Sequence, residues 1–383
     1  MFDEVVERRG TNSYKWDFKP EVEGNVPEDL IPMWVADMDF KAPSEVLKAL
    51  EKRVKHGIFG YTFRPEEYYE AITNWYARRH GINVPRSWIV YIPGVVPGIA
   101  LLLRLFTSKS DGIIIQPPVY WPFFDVIESN SRMIVENTLL LQDDRYIMNL
   151  EDLKEKAKGA KAIILCNPHN PVGRVWTKDE LEDVAKIAEE NDLLVISDEI
   201  HMDIIYKPND FVSMVEIERI HDRLVVLSSP NKTFNLAGIQ SAFAIVPNPR
   251  IRKIIEKEVN SLHLQLSNVF SIIATMEAYK SGDDWLNDLI EYLEGNINFV
   301  LERLQKTCVK AKKPEGTYLM WLDFRICGIP FEDLPRILVE KGVWLQDGRK
   351  FGDTGKGFMR MNIATPRSIL KEALSRIIRA VNG

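Results

Sequence analysis

The sequence has little of what marks several large classes of protein. Only three of its 383 residues are cysteine, Cys166, Cys308 and Cys327, and none forms a CxxC pair. That argues against a secreted disulfide framework and against a thiolate zinc site. The six histidines show no HxH or HExxH spacing, so no metal site is expected. No apolar run reaches the roughly 20 uninterrupted residues of a membrane span. The longest, VVPGIALLLRLF, carries Arg104. Positive charge is not in excess either. Forty-nine Lys and Arg against 55 Asp and Glu leave a formal net charge of −6, with an isoelectric point of about 5.7. Such a chain is a poor candidate for electrostatically driven nucleic-acid binding. The amino-terminal stretch is charged and lacks the apolar core of a signal peptide, so a cytoplasmic location is expected. Internal repeats, low-complexity tracts and Gly/Ser linkers are also missing.

What remains is ordinary globular composition, 45% hydrophobic and 27% charged, at a length that suits two domains and allows three. The middle of the chain alternates short apolar runs with amphipathic stretches. Ser87–Ile92, Gly112–Gln116, Lys161–Cys166, Leu193–Ser197 and Leu224–Ser228 read as strands, with helices over Gly98–Phe106 and Lys178–Asn191. Runs this short, β-branched and apolar on both faces suit a parallel sheet covered by helices. The ends differ. Before about Ala42 the chain is Pro-rich and irregular; from about Ser281 a long helix, TYLMWLDF, a helix, FMRMNIA and a basic amphipathic helix follow. The expected fold class is α/β. A large domain over residues 46–280 carries a mostly parallel sheet covered by helices, and a smaller α+β domain is assembled from residues 1–45 and 281–383.

In open parallel sheets ligands bind beyond the carboxyl ends of the strands. The five runs end, in order, in PGVVP (93–97), PPVYWP (117–122), NPHNPVG (167–173), DEIH (198–201) and SPNKT (229–233). A glycine turn, an aromatic, an amide, a carboxylate and a lysine are therefore expected where they could converge on one site. This set meets the needs of pyridoxal phosphate: a lysine for a Schiff base, a carboxylate that keeps the ring nitrogen protonated, an aromatic for the ring face and a helix start for the phosphate. Each member also has a plainer reading. Lys232 is a solvated lysine or the cofactor's anchor, and Asp198 is a loop carboxylate or the ring's partner. Gly94-Val95-Val96 is a turn with Pro97 opening a helix, or a phosphate cradle. Tyr120 and Trp121 read equally as core aromatics, and His201 as a hydrogen-bonded core histidine. Arg360, in a strand-like run, is either exposed or meets an anion, because a buried arginine without a partner is costly. The 34-residue spacing from Asp198 to Lys232 leaves room for neighbouring strands.

Taken together, NPHNPVG, SDEIH and SSPNKTFNLAG, in this order and spacing, resemble fold-type I pyridoxal-phosphate enzymes of the aspartate aminotransferase superfamily. PMWVADMDF, HGIFGYT, PGVVPGI, PPVYWPF, DEIHMDI, EGTYLMWLDF and RMNIATPR sharpen the likeness to the MalY/PatB-type C–S lyases, which include cystathionine β-lyases and cystalysin. The resemblance implies that Lys232 binds the cofactor covalently, Asp198 pairs with its ring nitrogen and Tyr120 stacks on its ring. Asn170 would bond its phenolic oxygen, with His201 nearby. Val95, Val96 and Ser229 would hold its phosphate, joined by Tyr61 from the neighbouring subunit of a homodimer. Arg360 would clamp the substrate carboxylate, and Trp34, Val35, Ala36 and Asp37 would line the entrance. The implied activity is α,β-elimination of a sulfur amino acid to pyruvate, ammonia and a thiol. An aminotransferase would use the same residues, and a cofactor-binding regulator would need a DNA-binding segment that is not visible. Two departures stand out: Gln240, eight residues after the lysine where an Arg or Lys is usual for the phosphate, and Pro230-Asn231 before Lys232.

Overall fold

The computed structural model describes residues 2–266 and 268–382. Its centre is a seven-stranded sheet. In spatial order the strands are Ile89–Ile92, Ala242–Ile245, Leu224–Ser228, Leu194–Asp198, Ala160–Cys166, Gly112–Ile115 and Met133–Glu136. Only Ala242–Ile245 runs antiparallel to its neighbours. The strands are apolar on both sides because both sides are covered. Ile163, Leu165 and Val195 enter one core with the helices Glu66–Trp75 and Lys178–Glu190. Ile113, Ile164 and Ile196 enter a second core with the helix Val95–Phe106. The five runs read as strands from sequence all lie in this sheet. Ala242–Ile245 and Met133–Glu136 are the two added members, each a run of four residues that does not stand out alone.

A second, antiparallel sheet forms from Lys310–Ala311, Leu319–Asp323, Phe358–Asn362 and Gln346–Asp347. The long helix Asp283–Leu304 and the carboxyl-terminal helix Arg367–Asn382 pack beside it. The amino-terminal segment joins this region: Ile31–Pro32 pairs in parallel with Val343–Trp344. Its irregular backbone is held by a buried ion cluster. Lys15 Nζ lies 2.7 Å from Asp39, and Arg8 lies 2.8 Å from both Asp37 and Asp39. The Lys15 and Asp39 side chains are 0% and 2% exposed, and a buried charge of this kind persists only when paired.

Two local expectations need correction. The helix expected from Gly98 begins at Val95, and Pro97 is its third residue rather than its first. That position lies in the first turn, where the missing N–H has no helical acceptor anyway. Cysteine pairing also occurs: a disulfide joins Cys308 to Cys327, whose Cα atoms are 5.1 Å apart, and only Cys166 is free. Their 19-residue separation hides this in the sequence. The antiparallel register that pairs Lys310 with Asp323 brings the two together. No helix among the described residues is long and apolar enough to cross a membrane.

Candidate active site

Asp198 ends one strand, and Lys232 follows the next by four residues; the two strands are parallel neighbours. Cys166, opposite Asp198 on the other side, opens the loop that carries Asn170. Beyond these carboxyl ends lies a small cavity lined by Ala36, Val95, Val96, Tyr120, Cys166, Asn170, Asp198, Ile200, His201 and Lys232.

The loops are tied to one another. His169 is fully buried, and its ring Nε2 lies 2.9 Å from the Pro118 carbonyl oxygen, joining the Asn170 loop to the Tyr120 loop. Burial drives the His169 pKa down to about 4, so the ring is neutral at ordinary pH. Gly173 closes the same loop at φ +73°, against Pro314. A Cβ there would stand 2.5 Å from the Pro314 Cβ, so both the turn and the close approach require glycine. Asn235, three residues after Lys232, receives the Met38 N–H at 2.9 Å and donates to the carbonyls of Met38 and Phe40. The amino-terminal segment is thereby fixed to the lysine loop.

Electrostatics at the site follow from enclosure. Loss of hydration raises the Asp198 pKa to about 6, opposed by the Ile200 N–H at 3.1 Å and by the charge of Lys232. Loss of hydration lowers the Lys232 pKa to about 8, helped by Arg360 and opposed by Asp37 and Asp198. Lys232 Nζ donates to the Ala36 carbonyl oxygen at 2.6 Å. Arg360, 3% exposed, donates to Asn170 Oδ1 at 3.1 Å and to the Trp34 carbonyl at 2.6 Å. Its Nε has no partner, and neither has His201 Nδ1. Burial pulls the Arg360 pKa down to about 10 and holds His201 well below the usual histidine range.

Not every expected residue reaches this cavity. Val95 and Val96 form the first turn of their helix and line it. The Ser229 hydroxyl donates to the Ser241 carbonyl and accepts from Asn231 N, outside the lining. The Asp37 carboxylate turns to Arg8, whereas its carbonyl accepts from Asn362. Trp34 presents its carbonyl to Arg360 and stacks its ring on Trp344 at 4.1 Å. Tyr61 is 96% exposed and is not among the residues that line this cavity. Gln240 is exposed at φ 55°.

Sequence reasoning missed Tyr318. Its hydroxyl donates to the same Ala36 oxygen at 2.9 Å, and its ring meets His201 edge to face at 5.7 Å. The signal was its place at the head of an apolar strand, where a tyrosine needs a partner for its hydroxyl. Asn362, which donates to the Val35 carbonyl at 2.6 Å, was missed for the same reason.

The donor set fits pyridoxal phosphate. A buried carboxylate with a raised pKa is stabilised by a cation such as a protonated ring nitrogen. A lysine with a lowered pKa is available as a nucleophile, and Tyr120 offers an aromatic face beside it.

Known proteins share this fold. The model of the aminotransferase class I and II family matches residues 28–377. The chain is 39% identical to cystathionine beta-lyase PatB of Bacillus subtilis, with all of both chains covered. Cystalysin from Treponema denticola, whose structure contains a pyridoxal 5'-phosphate cofactor, superposes with a TM-score of 0.95 at 34% identity. That match covers 100% of this chain and 98% of the other. A PLP-bound protein of Clostridium difficile 630, named as an aminotransferase, gives a TM-score of 0.96 at 43% identity over 100% and 99% of the two chains. The chain belongs to the aminotransferase class I and II family of pyridoxal-phosphate proteins.

Proposed function

We propose that this protein is a pyridoxal-phosphate-dependent C–S β-lyase that cleaves sulfur amino acids to pyruvate, ammonia and a thiol. One observation carries the reading: Lys232 and Asp198 sit at the carboxyl ends of adjacent parallel strands, in one cavity with Tyr120 and Asn170 and close to Arg360. The names of the relatives, lyases among them, support it.

When bound, the cofactor supplies an electron sink for the pair left when the substrate Cα–H bond breaks. The chain does the rest. Asp198 holds a positive charge at the ring nitrogen and so keeps that sink effective. Asn170 offers an amide to the ring oxygen, and Tyr120 offers its face. Arg360 binds the substrate carboxylate, with its unpartnered Nε as the spare donor. Lys232, whose lowered pKa leaves much of it unprotonated near pH 8, takes the α-proton. The Cβ–S bond then breaks, and sulfur leaves with the bonding pair.

The cleft so formed would lie between a unit of residues 46–280 and one of residues 1–45 and 281–383. The active form would be a homodimer with shared sites. Val54, Ile58, Phe59, Tyr61 and Phe63 form an exposed apolar row, from 55% to 96% accessible, which a second copy would cover. Tyr61 of that copy would then approach the phosphate.

The test is pyruvate release from L-cystathionine and S-methyl-L-cysteine, with and without a 2-oxo acid. Pyruvate without the oxo acid supports elimination. Turnover only in its presence would instead make the protein an aminotransferase acting on an L-amino acid.

A further inference from the structure

A larger cavity, of about 540 Å³, opens beside the small one. Three of its lining residues adjoin active-site residues. Trp34 hands its carbonyl to Arg360, Gln346 pairs across the strands with Arg360, and Trp121 follows Tyr120. Through Trp34 and Gln346 the wall of the larger cavity is continuous with the backbone around Arg360.

Five of its lining residues are aromatic: Tyr14, Phe18, Trp34, Trp121 and Trp344. The Trp34 ring stacks on Trp344, and Tyr14 stands 5.1 Å from both Trp34 and Phe18. Yet Tyr14 is 60% and Phe18 45% exposed. Aromatic rings left open to solvent beside a catalytic cavity are a surface for a flat apolar ligand. The charge pattern adds a sign. Five of the lining side chains are carboxylates and three are cations. Two of those cations are already engaged, Arg336 with Asp333 and Glu340, and Arg349 with Asp347. A negatively charged occupant is disfavoured.

We propose that this cleft seats the leaving group, and that the preferred substrates are cysteine S-conjugates whose sulfur carries a bulky aromatic group without negative charge. The inference rests on the elimination reading above. The chemistry balances without an added oxidant or reductant. The Cα–H and Cβ–S bonds break, the sulfur takes a proton and leaves as the aryl or arylmethyl thiol, and released 2-aminoacrylate takes up water to give pyruvate and ammonium.

The experiment compares kcat/KM for pyruvate release by the PLP-loaded protein from S-benzyl-L-cysteine, S-(4-carboxybenzyl)-L-cysteine and S-methyl-L-cysteine. S-benzyl-L-cysteine is expected to exceed S-methyl-L-cysteine by at least about tenfold, since even one methylene in a fitted pocket reaches that range. The carboxybenzyl compound should fall below the benzyl one. In Phe18→Ala and Tyr14→Ala, both changes at exposed positions, the benzyl-to-methyl ratio should drop several-fold. Equal kcat/KM for benzyl and methyl substrates, or an unchanged ratio in both variants, overturns the leaving-group seat while leaving elimination intact. No pyruvate from any substrate overturns elimination itself. The seat is then judged by tryptophan-fluorescence quenching in Lys232→Ala titrated with the same compounds, where no preference for S-benzyl-L-cysteine overturns it.

Discussion

Lys232 Nζ donates to the carbonyl oxygen of Ala36 at 2.6 Å, across 196 residues of chain. The same oxygen accepts from Tyr318. The amine is thus parked on the amino-terminal segment by a neutral acceptor, which does little to raise its pKa. Arg360 rests on the same segment, at the Trp34 carbonyl. Both groups assigned to substrate and cofactor are held by backbone oxygens that a carboxylate or an aldehyde would replace.

Lys232→Ala is expected to remove the visible absorbance of the lysine-bound cofactor and nearly all pyruvate formation, while far-UV circular dichroism stays native. A variant that kept the absorbance spectrum of the parent would place the anchor on another lysine.

For Arg360→Lys, kcat/KM should fall by roughly 10²-fold, because lysine cannot reproduce a two-point clamp on a carboxylate. Cofactor affinity, read by absorbance titration, should change little. A kcat/KM within twofold of the parent would contradict the clamp.

The pH dependence has a defined sign. Enclosure lowers the Lys232 pKa to about 8, so its unprotonated fraction grows as pH rises through that value. Pyruvate formation should climb between about pH 6.5 and 8.5 with an acid limb near 8. A flat profile over this range would remove Lys232 as the base.

Asp39→Asn should destabilise the protein by about 3 kcal/mol in urea unfolding, because it leaves the fully buried Lys15 without its closest counter-charge. The Asp39 pKa is below its ordinary value: burial alone would raise it, but Lys15, Trp16 and Arg8 outweigh that effect. A lowered carboxylate pKa contributes stability that is present above the unfolded value and lost as pH falls through the folded one. The parent should therefore lose this contribution below about pH 4, and the variant should show a smaller acid-induced loss. Equal stability of the two at pH 7 would refute the role of the pair.

How much of this was legible in the chain depends on the range of the interactions. Strands such as Ala160–Cys166 and Leu224–Ser228 could be read directly, because local apolar runs of this length have few other uses. Asp198 and Lys232 could be found because each follows such a run, and the rule that parallel sheets bind ligands at their carboxyl ends does the rest. Motif order added the cofactor and the reaction.

Other features depended on residues far apart in sequence. The Cys308–Cys327 bridge needed the antiparallel register of Lys310 with Asp323. The turning of the Asp37 carboxylate to Arg8, rather than to the cavity, depended on how an irregular segment folds back on itself. Tyr318 and Asn362 looked like strand residues until their partners, the carbonyls of Ala36, Val35 and Asp37, appeared. By itself the sequence determined the alternating α/β core and singled out Lys232 and Asp198 as candidates for the cofactor's anchor and ring partner, through local patterning and motif order. Only the tertiary structure decided which backbone oxygens hold Lys232 and Arg360. Those contacts join segments hundreds of residues apart, and no local pattern encodes them.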